Sequence, residues 1–308
     1  MSDVPPGRVA PTTRCAPRGT RRADPLDKVK AFTKLAAKDL VPPVPGFSRE
    51  PTTGQQTVEA ARKMAKGRLA RMAGPHCSRK PHPRRSSRAD GRYAEEVMHV
   101  IAPPYAGAVS EDNIVRKDST LDSYAKLKPA FDRKFGTITA GNASPLTDGA
   151  SALLLMRESK AQGAGAHPSW IREIVVNAAV DPSWQLLMGP VLAAPKALDR
   201  AKLKLSDMDL VDMHEAFAAQ IASNLQALGS KKFAEERLGR SEAVGEVDPE
   251  KFNVKGGSIA LGHPFAATGG RMVLSTLREL KRRGGQHALL TLCAAGGLGA
   301  AVVLEAAR

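Results

Sequence analysis

Residues 264–305 read PFAATGGRMVLSTLRELKRRGGQHALLTLCAAGGLGAAVVLE, and this stretch decides the fold. Pro264 stands at the start of a predicted helix, where its fixed φ suits the first turn. Apolar side chains then recur at helical spacing: Val273, Leu274, Leu277 and Leu280. Three basic residues complement the helix dipole in the last turn before Gly284. The stretch therefore predicts a long amphipathic helix that ends at Gly284, followed by strands over 287–293 and 299–305.

The same alternation of strands and helices extends upstream to about residue 93. Apolar runs predict strands over 151–156, 171–179 and 210–213. Pro190 is expected to open a helix that continues through Leu198. A further helix is predicted over 215–228, because Phe217, Ile221, Leu225 and Leu228 share one face and Gly229 follows. This pattern favours an α/β fold with helices on both faces of the sheet.

The first 92 residues have a different composition. The net charge of the chain is +15, and residues 1–92 hold 21 Lys or Arg against 7 acidic residues. Residues 5–22 and 73–92 are rich in Arg, Pro, Ser and Gly, which predicts irregular, exposed chain around a short helix over 26–36. This basic segment lacks interleaved aromatic residues, which argues against nucleic-acid binding.

Cysteine usage and the chain start indicate the cytoplasm. The three cysteines, Cys15, Cys77 and Cys293, are widely spaced, so neither a disulfide framework nor a metal site is expected. The first residues lack the apolar core of a secretory signal. Glycines interrupt the apolar stretch over 288–304, which is also too short to cross a membrane comfortably.

Three residues at predicted strand and helix ends are candidates for chemistry. His214 follows the strand over 210–213, and His263 precedes the last helix, whose N-terminus favours anions and a neutral imidazole. Cys293 ends a strand and is followed by Ala-Ala-Gly-Gly. Each also has a structural interpretation: a capping or core histidine for the first two, and an inert buried thiol for the third.

Four motifs in chain order narrow these alternatives. They are GTITAGNASPLTDGA at 136–150, HEAFA at 214–218, NVKGG at 253–257 leading into GHP at 262–264, and CAAGG at 293–297. In this combination the chain resembles the thiolase family over residues 93–308. The resemblance implies a thiolase-like fold whose C-terminal domain has a mixed sheet flanked by helices. His214 in place of the asparagine of many members resembles the β-subunit thiolases of the fatty-acid β-oxidation complex.

The resemblance also implies a role for each site residue. His263 would take the proton of a nucleophilic thiol and help to bind the thioester oxyanion. Cys293 would be the acid and base at the substrate α-carbon or the coenzyme A sulfur. His214 would hold a water or donate to the enolate oxygen, and Ser144 would contact the pantetheine arm. Coenzyme A is expected as co-substrate, without a permanently bound cofactor or metal.

A complete thiolase carries its nucleophilic cysteine in a first α/β half, at the start of a buried helix. We expect that half to precede residue 1, because neither Cys15 nor Cys77 is followed by an apolar helix. The expected organisation is a degenerate remnant over 1–92, the rest of a loop domain over 93–135 and a C-terminal domain over 136–308. We hypothesise that the Arg- and Pro-rich stretches are translated out of frame, which resequencing would test.

The resulting functional prediction is a thiolase-type acyltransferase of fatty-acid β-oxidation that lacks its nucleophile. It would convert 3-oxoacyl-CoA and coenzyme A into acetyl-CoA and a shortened acyl-CoA. The alternative is a non-catalytic remnant that binds coenzyme A or protein. Expected partners are a second copy of the chain, as a homodimer, and the hydratase/dehydrogenase α-subunit of a β-oxidation complex.

Overall fold

The computed structural model describes residues 93–105, 107–110, 112–115, 121–130, 133–134, 136–165 and 170–307. Its strands are β1 Val100–Ile101, β2 Ala108–Val109, β3 Trp170–Ala179, β4 Leu210–Met213, β5 His287–Ala294 and β6 Leu298–Ala306. Its helices are α1 Leu121–Ala125, α2 Glu158–Gly163, α3 Pro182–Gln185, α4 Gly189–Ala201, α5 Ala218–Leu228, α6 Lys231–Phe233, α7 Ser258–Leu261 and α8 Ala266–Arg283. A 3₁₀ turn covers Leu205–Asp207 and a π turn covers Ala234–Leu238.

The central sheet is mixed, with strand order β3-β6-β5-β4. β6 lies antiparallel to both β3 and β5, whereas β4 pairs parallel to β5. A glycine turn connects β5 to β6, and Gly296 and Gly297 have φ values of 83° and 75° there. Such angles favour glycine, so this turn keeps the two long strands in register as a hairpin.

Helices cover both faces of this sheet. On one face, Leu289 of β5 packs in an apolar cluster with Val191 of α4 and Ile221 of α5. On the other face, Leu290 packs in a second cluster with Leu280 of α8. Neighbouring residues of a strand point to opposite faces, so β4, β5 and β6 each contribute to both clusters. The predicted α/β class, with a mixed sheet between helices, is confirmed.

Helix α8 has the predicted amphipathic pattern and the predicted end. It starts at Ala266, two residues after Pro264, and Gly284 follows its last residue with a φ of 67°. Near this end, Glu279 accepts hydrogen bonds from Arg282 Nε at 2.8 Å and Arg283 Nε at 2.7 Å. These ion pairs stabilise the last turn, where the two positive charges also interact favourably with the negative end of the helix dipole.

Two sequence predictions differ from the structure. Residues 151–156 do not form a strand, and their large side chains are exposed, with Leu154 at 79% and Leu155 at 66%. Among the described residues this segment has no strand beside it, and an apolar run alone does not make a ladder. The helix predicted over 215–228 begins later, at Ala218, because Glu215 is turned into the interior.

Several predictions lie outside the described residues. They are the irregular stretches over 5–22 and 73–92, the helix over 26–36, and the surroundings of Cys15 and Cys77. Within the described part of the chain, no helix is long and apolar enough to cross a membrane. That same part contains no group of three His, Cys, Asp or Glu side chains that could hold a metal ion.

Candidate active site

His214 lies where the carboxyl ends of two parallel strands meet. Met213, the last residue of β4, is opposite Thr291 of β5, and the His214 amide donates to the Thr291 carbonyl at 2.8 Å. The imidazole is 2% exposed, and its Nδ1 lies 2.8 Å from Ser258 Oγ at the start of α7. Carboxyl ends of parallel strands are where α/β folds place binding sites, so this position suits a reacting group.

His263 is held by a loop that crosses from a distant part of the chain. Its amide donates to the Pro145 carbonyl at 3.0 Å, and its Nδ1 lies 2.8 Å from Thr268 Oγ1 in the first turn of α8. Gly262, just before it, has a φ of 86° and would place a Cβ 2.5 Å from Thr147. Only glycine fits there, so the local backbone fixes where the imidazole points.

The two imidazoles are in contact. Their ring centroids are 4.2 Å apart and their planes are inclined by 37°. Burial lowers the pKa of His214 to about 3, helped by the nearby His263 and Arg271. Burial and the Arg271 guanidinium also lower the pKa of His263. Both rings are therefore neutral near pH 7, and each has Nδ1 in a hydrogen bond and Nε2 as its other nitrogen.

Cys293 lies near the end of β5, two residues beyond Thr291 and at the same sheet edge as His214. It pairs with Gly299 of β6, and its side chain is buried in the core beside α4. Burial raises the pKa of the Cys293 thiol to about 12. The group is thus a protonated thiol at neutral pH, which can donate a proton but cannot attack as a thiolate. Its approach to the two imidazoles stays a prediction.

The loop containing Ser144 connects the two histidine segments. The Ser144 amide donates to the Ala216 carbonyl at 3.0 Å, and the Asn142 carbonyl accepts from Ala218 at the start of α5 at 2.9 Å. Pro145 follows at once and accepts from His263. The loop therefore contacts the backbone of both histidine segments at the carboxyl end of the parallel strands. A contact between Ser144 and coenzyme A stays a prediction.

A buried carboxylate behind the site was not predicted. Glu215 Oε1 accepts from Asn253 Nδ2 at 2.8 Å, and Oε2 accepts from the Ile259 amide at 3.2 Å. Asn253 Oδ1 also accepts from the Met213 amide at 2.7 Å, which ties the loop to β4. A Cβ at Gly257 would lie 2.0 Å from the Glu215 carboxyl carbon. The sequence feature that could have indicated this buried group is a single acidic residue with apolar neighbours, Met213 before it and Ala216 and Phe217 after it.

Arg271 was also missed by the sequence reasoning. It lies in α8, and its Nη2 is 3.4 Å from Ser258 Oγ. It lies three residues from Thr268 and four from Ser275, both buried on the inner side of the helix. Residues at these spacings share a helix face, so Arg271 points inward. The spacing of three or four residues between Arg271 and these buried positions could have identified it as an inward-facing side chain.

Comparisons with known proteins agree with this geometry. The family models "Thiolase, N-terminal domain" and "Thiolase, C-terminal domain" match residues 81–159 and 169–306. A 3-ketoacyl-CoA thiolase of Photobacterium profundum is 52% identical over 282 residues, which cover 91% of this chain and 64% of the relative. A 3-ketoacyl-CoA thiolase of Citrobacter koseri is 52% identical over 281 residues, with the same coverage.

Solved structures give the same result. The acetyl-CoA acetyltransferase of Bacillus anthracis matches with a TM-score of 0.72 and 31% identity, covering 84% of this chain and 62% of the other. Human mitochondrial 3-ketoacyl-CoA thiolase in complex with CoA matches with a TM-score of 0.70 and 27% identity, covering 84% and 61%. The chain thus spans about two-thirds of the length of these proteins, 64% for the first curated relatives. On the motifs, the sheet, the paired histidines and these matches, the chain belongs to the thiolase family.

Proposed function

We propose that this chain supplies the acid–base half of a thiolase site that cleaves 3-oxoacyl-CoA with coenzyme A. The observation that carries the proposal is the contact between two neutral imidazoles, His214 and His263, at the sheet edge that also holds the Cys293 thiol. Relatives named 3-ketoacyl-CoA thiolase support the substrate class. A relative solved with CoA supports coenzyme A as co-substrate. That the chain needs no permanently bound cofactor stays a prediction.

The proposed cleavage assigns one step to each residue. A nucleophilic thiol loses its proton to His263 and attacks the 3-oxo carbon, and the bond between C2 and C3 breaks. The electron pair passes to the acetyl-CoA enolate, whose oxygen accepts a hydrogen bond from His214. Cys293 returns a proton to C2 and releases acetyl-CoA. Coenzyme A then gives its thiol proton to the Cys293 thiolate and attacks the acyl-enzyme. The acyl–sulfur bond to the enzyme breaks, the shortened acyl-CoA leaves, and the released thiolate takes its proton back from His263.

We further propose that Cys293 is not the nucleophile. Burial raises its pKa to about 12, so a negligible fraction is thiolate at neutral pH. Cys15 and Cys77 lie in Arg- and Pro-rich sequence, and neither is followed by the apolar helical pattern expected of a helix that would stabilise a thiolate. The nucleophile would therefore come from polypeptide other than these 308 residues. A non-catalytic protein that binds coenzyme A or another protein is the second candidate, and it is favoured by the same high pKa.

The wider assignments are proposals of the same kind. We propose a degenerate remnant over 1–92, the remainder of a loop domain over 93–135 and a C-terminal domain over 136–308. Ser144 would contact the pantetheine arm of coenzyme A. The expected setting is cytoplasmic fatty-acid β-oxidation, with a homodimer and a hydratase/dehydrogenase α-subunit as partners.

A turnover assay tests the first part of this proposal. The purified chain is mixed with acetoacetyl-CoA and coenzyme A, and loss of the 3-oxoacyl absorbance is followed. We expect only residual turnover, because removing one member of a catalytic unit leaves little acceleration. Cys15→Ala and Cys77→Ala serve as matched controls for Cys293→Ala. Rapid turnover by the intact chain would contradict the proposal, and its loss in Cys15→Ala or Cys77→Ala would identify a nucleophile within the chain.

An isotope-exchange assay tests the acid–base role without a nucleophile. Acetyl-CoA is incubated with the chain in deuterium oxide, and replacement of its methyl protons is followed by NMR. We expect exchange above background that is lost in Cys293→Ala and retained in Cys77→Ala. Exchange that is equal in both variants would reject Cys293 as the proton carrier. Calorimetric titration with coenzyme A then distinguishes a binding remnant, which binds without exchange, from a chain with a working half-site.

A further inference from the structure

We propose that Ser258 and Arg271 are positioning residues that hold His214 as the neutral tautomer protonated on Nε2. In that form His214 presents a hydrogen-bond donor to the reacting centre and cannot serve there as a base. The part of this inference that concerns an enolate rests on the proposed function. The part that concerns the tautomer rests only on contacts among the described residues.

The three side chains form a short chain of hydrogen bonds. Ser258 is fully buried at the start of α7, with Oγ at 2.8 Å from His214 Nδ1 and 3.4 Å from Arg271 Nη2. Among the described residues these are the two hydrogen-bond contacts of its hydroxyl. His214 is itself 2% exposed, so bulk water does not compete for Nδ1.

The direction of this chain follows from its end at Arg271. A guanidinium has only donors and stays protonated, so Ser258 Oγ must accept from Arg271. The hydroxyl has one proton left to donate, and His214 Nδ1 is the acceptor within reach. The hydroxyl oxygen could also accept from a protonated Nδ1, but its own proton is satisfied at His214 only when Nδ1 carries no proton and the neutral ring carries its proton on Nε2.

The opposite tautomer is disfavoured by the buried hydroxyl. A proton on Nδ1 would point at Ser258 Oγ and leave the buried hydroxyl proton without an acceptor among the described residues, so a buried donor would lose its hydrogen bond. The Arg271 guanidinium also acts unfavourably on added positive charge on His214, consistent with the lowered pKa of that ring, and so favours the neutral ring over the imidazolium. The hydroxyl proton and the guanidinium together favour a neutral His214 with Nδ1 accepting and Nε2 donating.

This arrangement explains why a histidine can occupy a position where an amide would also serve. The Nε2–H of a neutral imidazole and the N–H of an amide are both uncharged donors. A donor fixed before the reaction stabilises a developing oxyanion without reorganisation during the step. Ser258 and Arg271 would thus supply the orientation that an amide side chain obtains from its own geometry.

The tautomer can be measured on the full chain without substrate. Uniform ¹⁵N labelling of histidine and a long-range ¹H–¹⁵N correlation spectrum distinguish protonated from bare ring nitrogens, and His214→Gln identifies the His214 signals among the seven histidines. We expect Nδ1 of His214 to be bare and Nε2 to be protonated. A protonated Nδ1 in the unmodified chain would overturn the inference by itself.

Variants test whether Ser258 and Arg271 cause this state. In Ser258→Ala we expect the His214 signals to move to an average of both tautomers, and in Arg271→Lys, which keeps a donor, to move less than in Arg271→Met. Ser275→Ala is the matched control, because Ser275 is buried in α8 and bonds Glu96. An unchanged tautomer in folded Ser258→Ala would contradict the assignment. If that variant does not fold, the comparison of Arg271→Met with Arg271→Lys decides, since equal spectra would reject a role for Arg271.

Discussion

At the scale of single residues, His214 and Cys293 make separate contributions that can be measured apart. His214→Ala removes a neutral donor, whereas His214→Asn replaces it with another neutral donor. In the acetyl-CoA exchange assay we expect His214→Ala to lose about 100-fold or more of the rate, the usual effect of removing an oxyanion donor. His214→Asn should retain much more of the rate. Equal rates in the two variants would show that position 214 does not donate to the enolate.

The pH dependence of the same exchange reaction reports on Cys293. Exchange requires the thiolate to remove a proton from the acetyl-CoA methyl group. Since burial raises the pKa of Cys293 to about 12, the thiolate fraction increases about tenfold for each pH unit across the neutral range. We expect the rate that depends on Cys293 to rise with that slope, after subtraction of the Cys293→Ala background. A plateau near neutral pH would mean that a group with a lower pKa carries the proton.

Glu215 should make the fold less stable as the pH rises. Burial raises the pKa of Glu215 from 4.5 to about 7. Between these values the unfolded chain has lost the proton and the folded chain still holds it, so the free energy of unfolding falls with increasing pH. The full effect is about 3 kcal/mol. Denaturant unfolding at about pH 5 and about pH 8 should show a smaller decrease in Glu215→Gln. An equal decrease in the variant would assign the pH effect to other groups, such as Asp212, whose pKa burial raises to about 6.

At the scale of elements, the absence of a side chain at Gly257 allows α7 to pack closely on the loop after β4. A Cβ at Gly257 would meet Glu215 Oε2 at 2.2 Å, so Gly257→Ala must displace a buried carboxyl group. We expect a loss of about 1–3 kcal/mol in the free energy of unfolding. In the background of Glu215→Ala the same substitution should cost much less, because the colliding group is gone. Additive losses in the double variant would place the strain elsewhere.

The longer elements could be predicted from the sequence because their patterns are local. The apolar stripe and Gly284 gave the extent of α8, and the apolar runs gave β3, β4, β5 and β6. The four-residue α7 has no stripe of its own and was missed. Residues 151–156 were wrongly predicted as a strand, since a strand also needs a neighbour to pair with.

The candidate site was predictable to the level of residue names but not of contacts. His214 and His263 stood out at element ends, and the structure brings their rings to 4.2 Å. Their partners Ser258, Thr268 and Arg271 were not identified. Ser258 is 44 residues from His214 in the chain, so this contact exists only once the fold has formed. Family resemblance located the histidines, and the structure supplied the groups that orient them.

At the scale of the whole molecule, residues 93–308 carry 25 Lys or Arg and 24 acidic residues, so this part is nearly neutral. This part therefore repels the same part of another copy only weakly, although the chain as a whole carries a net charge of +15. Exposed apolar side chains on such a surface favour association, and Leu154 and Leu155 are the largest examples within 151–156. We expect Leu154→Lys to lower the apparent mass in light scattering at high protein concentration. Leu127→Lys is the control, since Leu127 is also exposed, at 38%. Equal effects of both substitutions would point to charge alone.

The exposed, unpaired segment over 151–156 also affects the expected solubility of the chain during synthesis. Ser151 is anchored by a hydrogen bond from its hydroxyl to the Ala267 carbonyl at 2.9 Å, so the segment is held at its first residue. Newly synthesised copies in close proximity can pair these segments edge to edge, because no strand in the described part of the chain lies beside them. Yield and solubility on expression should then depend on temperature and synthesis rate more steeply than the stability of the folded sheet would suggest.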